Sequence, residues 1–198
     1  MINKISESIV SWLEREGTVP ESEMALYRYA AYSFIWGTLP VVIVTVWGII
    51  FEALQESILF IFPFMLIRKF SGGYHLSKPG ICFGTSTILL GFAVWGIKSI
   101  NGVFPATVLT SLVMIAVTCI CVVSPIDSAS RRLSAKETRV FGRCARAIAI
   151  MMFIMYIILL FTERNHAAIS VGVGIILPAG LQVPVLIRNL FSNMQNES

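Results

Sequence analysis

His75 and Cys82 stand seven positions apart in the segment Arg68-Lys69-Phe70-Ser71-Gly72-Gly73-Tyr74-His75-Leu76-Ser77-Lys78-Pro79-Gly80-Ile81-Cys82. A thiolate attacks a carbonyl carbon when an imidazole takes the thiol proton and returns it to the leaving group, the chemistry of cysteine peptidases and acyltransferases. The spacing constrains the backbone. Along a straight helix, residues so spaced would have Cα atoms ~10.5 Å apart, whereas base and nucleophile must meet within roughly 2.6–3.2 Å. The segment 68–82 is therefore expected to fold back on itself, and Gly72-Gly73 and Pro79-Gly80 are residue types that permit it. Arg68, Lys69 and Lys78 add positive potential, which favours a thiolate and an acidic substrate.

The elements that must position this loop are apolar. The chain has 198 residues, 56% hydrophobic and 13% charged, with a mean hydropathy of +0.80; soluble domains average about 45–50% apolar and ~25% charged. An all-α integral membrane fold is expected, with 1–198 forming a single membrane domain. At ~20 apolar residues per crossing, hydropathy predicts six transmembrane helices at about 26–48, 50–67, 82–98, 103–123, 145–162 and 167–187. The second is the least apolar, because Glu52 and Glu56 must be hidden against neighbours or lie in the outer interface. Residues 1–24 lack the uninterrupted apolar core of a secretory signal. Ile2, Ile5, Ile9, Trp12 and Leu13 instead recur at helical spacing, which predicts an amphipathic interfacial helix lying on the lipid bilayer.

Orientation follows from charge. With the N-terminus in the cytosol, all of the 15 basic residues except Lys98 and Arg164 fall on the cytosolic side, the asymmetry expected of positive-inside insertion. Both termini, the catalytic loop 68–82 and a basic cytosolic loop at 124–144 then share one face. Topology and anionic headgroups explain the net charge of +4, so no nucleic-acid partner is implied. Cys82 is expected near the start of the third span, where free N–H groups and the helix dipole favour a thiolate and could bind an oxyanion. Ser86 lies one turn deeper on the same helix face. Cys119 and Cys121 read as small hydrophobes, and no Cys/His set at zinc spacing occurs, so no metal or other cofactor is implied.

The pattern Arg68, Gly73, His75, Cys82 and Ser86 between the second and third of six spans resembles the accessory gene regulator B (AgrB) family, as do the amphipathic start, the helix order and a basic loop opening with Pro125. The resemblance implies a multi-pass cell-membrane cysteine endopeptidase of Gram-positive bacteria, with its active site on the cytosolic side. Its implied partner is an AgrD-type quorum-sensing propeptide, and a homodimer is implied as well. It assigns Cys82 as nucleophile and His75 as general base; Arg68, Lys69, Gly72, Gly73, Lys78 and Ser86 are the candidates to bind substrate or support the site. The propeptide core would form a thioester on Cys82 and pass to an internal Cys or Ser, giving a thiolactone or lactone. Asp127 is a candidate to orient His75. Two alternatives remain from other classes: a peptide transporter using Glu52 and Glu56, and a non-enzymatic membrane adaptor.

Overall fold

A computed structural model describes residues 2–16, 23–72, 79–100, 105–126 and 134–187. Gly73, His75, Lys78 and Asp127 lie outside these described residues, as do Arg131, Arg132 and Arg188. Seven helices account for nearly all of the described chain: α1 (Ile2–Arg15), α2 (Met24–Ile50), α3 (Leu54–Ser71), α4 (Pro79–Ile100), α5 (Ala106–Val123), α6 (Ala135–Phe161) and α7 (Asn165–Gly180). The all-α expectation holds, and one helix overlaps each of the six predicted spans. Five helices are long and apolar enough to cross a membrane. The exception is α3, which carries Glu56, Arg68 and Lys69 in its 18 residues.

The chain forms two compact units, Met1–Ile43 and Val44–Ser198. The first contains α1, formed where the apolar spacing predicts a helix, and the opening turns of α2. There Tyr29 and Phe34 are exposed, and the Tyr32 and Trp36 rings meet edge to face at 6.2 Å.

In the second unit α7 is the hub, contacting α3, α4, α5 and α6. Small residues make this possible. A Cβ on Gly174 would lie 2.5 Å from the Pro63 Cγ and 2.6 Å from the Phe60 carbonyl oxygen, so α7 rests on the backbone of α3. Without water to drive helices together, such close packing is a main source of association. Gly91 admits the Trp47 ring in the same way, and the Trp47 indole donates to the Thr87 carbonyl at 3.1 Å. Tyr156 is fully buried, and its hydroxyl lies 3.0 Å from that of Thr110.

Although it carries three charges in 18 residues, α3 buries Ser57, Phe60, Ile61, Pro63, Phe64, Ile67 and Ser71. Its charges sit at the ends, Glu56 in the first turn and Arg68 and Lys69 in the last, the arrangement the helix dipole favours.

Residues 135–144, which hydropathy places in a basic loop, are helical. Ser134 and Glu137 form a reciprocal capping box that starts α6 at Ala135, so Lys136, Arg139 and Arg143 ride on the exposed face of a helix. Hydropathy detects apolar length, and a charged opening turn escapes it.

Adding a methyl group at Gly174 is expected to destabilise the bundle by about 1–3 kcal/mol, because backbone cannot move aside as a flexible side chain can. Thermal unfolding in detergent should show Gly174→Ala well below the unmodified protein, with Gly96→Ala, which meets nothing within 4 Å, at or above it. Equal midpoints for the two variants would contradict the contact.

Candidate active site

Cys82 is the fourth residue of α4, which opens on Pro79. Proline suits the first helical position because its missing N–H would have no partner there, and its φ is already helical. The N–H groups of Gly80 and Ile81 are left without intrahelical acceptors. A helical side chain leans toward the N-terminus, so the half-buried Cys82 thiol leans toward these donors. Ser86, also half-buried, follows one turn later.

Arg68 and Lys69 occupy the last turn of α3. The Arg68 guanidinium interacts electrostatically with Cys82. The guanidinium stays cationic. It donates to the Gly72 carbonyl at 3.3 Å, and the Ser71 hydroxyl donates to the same oxygen at 3.3 Å. Lys69 is exposed, with its ammonium 5.8 Å from the Phe70 ring centre.

Gly72 ends α3 with φ 73° and ψ −155°, a conformation essentially reserved for glycine. It pairs as an isolated parallel bridge with Ile126. The Ile126 N–H donates to the Ser71 carbonyl at 3.1 Å, and a Cβ on Gly72 would stand 2.5 Å from the Ile126 carbonyl oxygen. Gly72 thus has two requirements that alanine cannot meet. The turn 124–126, which contains the cis Ser124-Pro125 bond, is thereby docked at the entrance to the segment that carries His75.

Three further helices hold this turn. Ser124 caps α5 through its N–H to the Ile120 carbonyl at 3.0 Å. On α6, a Cβ on Gly142 would lie 3.1 Å from the Pro125 ring, and Phe141 meets Phe70 edge to face at 6.1 Å. From the end of α7, the Gln182 side-chain amide donates to the Ser124 hydroxyl at 2.9 Å. Sequence reasoning did not single out Ser124, Ile126 or Gln182. The available signal for Gln182 was an amide side chain inside an apolar stretch; the partners of Gly72 left none, since a contact across more than fifty residues has no local pattern.

Of the sequence-predicted site residues, Arg68, Lys69 and Gly72 gather at the end of α3, Cys82 and Ser86 lie in the first two turns of α4, and Arg68 interacts electrostatically with Cys82. Glu52 and Glu56 sit at the other end of α3. Lys98 lies 3.9 Å from Glu52 and donates to the Phe51 carbonyl, while the His166 imidazole is 3.8 Å from Glu56. Cys119, Cys121 and Cys144 are half-buried within α5 and α6 and unbridged. Among the described residues no group of three or more His, Cys, Asp or Glu side chains gathers as a metal site would.

Two AgrB-like proteins of Clostridium perfringens are similar over part of their length. The one from strain 13 is 27% identical over 82 residues, 41% of this chain and 38% of the relative. The one from strain SM101 is 26% identical over the same shares. The match therefore spans less than half of these relatives. No solved structure matches the chain. The Accessory gene regulator B family matches residues 2–186, and with its apolar helices the chain belongs to this family of multi-pass membrane proteins.

Proposed function

We propose that the chain is a membrane cysteine endopeptidase that removes the C-terminal tail of an AgrD-type autoinducing propeptide and cyclises what remains. The observation that carries this reading is the placement of Cys82 in the first turn of α4, in a chain of the AgrB family. His75 is the base. Gly72 ends α3 before it and Pro79 opens α4 after it.

The Cys82 thiol gives its proton to His75, and the thiolate adds to the carbonyl carbon at the junction of core and tail. The N–H groups at the start of α4 hydrogen-bond the oxyanion. Collapse of this intermediate breaks the C–N bond, His75 returns the proton to the departing amine, and the core remains as a thioester on Cys82. An internal thiol of the peptide then attacks that thioester. Its proton passes back to Cys82, and a thiolactone is released; an internal serine gives a lactone. Exchange between thiols costs little because one thioester replaces another, provided water is kept from the intermediate.

Arg68 and Lys69 supply positive charge for an acidic tail. The distribution of basic residues supports a cytosolic site with both termini inside, α3 serving as the sixth crossing. A second copy of the chain as partner rests on the family resemblance alone. The transporter alternative drew on Glu52 and Glu56. Lys98 stands 3.9 Å from Glu52 and the His166 imidazole 3.8 Å from Glu56.

Co-expression with a tagged AgrD-type propeptide should release a tail fragment. Cys82→Ala should abolish release and His75→Ala should lower it by roughly 10²–10⁴-fold, both variants still inserting. Cleavage by Cys82→Ala would sink the assignment. Iodoacetamide should label Cys82 faster than Cys119 or Cys121, with the advantage lost in His75→Ala; equal rates in the unmodified protein would speak against an activated thiol.

Gly72→Ala, which must break either its backbone conformation or the Ile126 pairing, should lose most tail release, while Gly96→Ala retains it. Full activity in Gly72→Ala would show that the pairing is dispensable. A reporter fused after Asp127 should read cytosolic, and an external signal would reverse the orientation.

A further inference from the structure

Gln182 is fully buried at a break in the backbone. Its N–H donates to the Ala179 carbonyl, and its own carbonyl accepts from the N–H groups of Val185 and Leu186, so the helical path restarts there. The side chain does not simply fill space. Its amide nitrogen donates to the Ser124 hydroxyl at 2.9 Å, while its amide oxygen is buried with no hydrogen-bond partner. An unpaired polar atom in a dry interior is costly. A position that served packing alone would suit methionine or leucine better, so the bond to Ser124 is what accounts for the amide.

That bond leads to the candidate active site. Ser124 begins the turn whose Ile126 N–H holds the Ser71 carbonyl and whose Ile126 pairs with Gly72, three residues before His75. We propose that Gln182 is a positioning residue: acting through Ser124, it fixes the 124–126 turn against Gly72 and so sets the start of the loop that carries the base. The proposal rests on the peptidase reading of Cys82 and His75. Gln182 itself touches no substrate, since it is enclosed, and it works only as the far end of a strut from α7.

Gln182→Met keeps the side-chain volume and removes both the bond and the orphaned oxygen. Ser124→Ala removes the other partner. With the full chain in detergent and a tagged AgrD-type propeptide, each variant should lower kcat for tail release by roughly ten- to a hundredfold, the scale expected when reacting groups are slightly misplaced. KM should be unchanged. The double variant should be no worse than either single one, because both act through one bond. Cys82 labelling by iodoacetamide should slow in parallel, while Cys144 labelling and the thermal midpoint stay at or above the unmodified values.

Unchanged kcat and Cys82 labelling in Gln182→Met, or losses that add in the double variant, would overturn the strut. So would a fall in insertion or thermal midpoint matching the loss of activity, which marks a folding role. Tail release by Cys82→Ala is the separate result that overturns the peptidase reading, whereas an inactive Cys82→Ala beside a fully active Gln182→Met overturns the strut alone.

Discussion

Where α7 meets α3, Gly174 offers no side chain, and the Phe60 carbonyl and Pro63 ring occupy the space that one would need. Two helices pressed together at backbone distance cannot slide past one another without a clash, so this contact fixes the register of α3 against the hub of the bundle. Everything at the ends of α3 inherits that register. At one end Glu56 is brought to His166; at the other, Ser71 and Gly72 are brought to the turn after α5.

α3 also illustrates how charge and enclosure trade. A helix that faces lipid must be apolar around its circumference, because the surrounding medium cannot satisfy a charge. A helix enclosed by its neighbours can carry charges at its ends if partners are waiting there. Glu56 has His166, and Arg68 has the Gly72 carbonyl. The middle of α3 needs only volume, which Phe60, Phe64 and Ile67 supply.

Much of this was legible in the sequence. Apolar length located a helix at each predicted span, whereas Pro79-Gly80, expected as a turn within the loop 68–82, opens α4 instead. Glu52 and Glu56 marked α3 as a helix that must hide its charges or begin in the outer interface; Glu52 is exposed just before it, and α3 buries one face against its neighbours. Two kinds of information were not legible. The charged opening of α6 depends on a cap formed by Ser134 and Glu137, which an average over hydropathy dilutes. The docking of Ile126 on Gly72 and of Gln182 on Ser124 joins residues distant in sequence, and neither pairing leaves a periodic trace. The glycine pair at 72 and 73 hinted that a tight path was needed, but not what it would run against.

The hub is made late. Ribosomes deliver α3, α4, α5 and α6 before α7, yet each of these helices finds part of its packing surface on α7. Contacts of α6 with α3 and α5 do not involve α7, but the packing of all these helices is completed only by α7. The turn at 124–126 waits as well, because one of its supports comes from Gln182. A nascent chain therefore carries α3 and the turn at 124–126 through most of synthesis without their full set of supports, and the framework closes only when the last of these helices has been threaded into place.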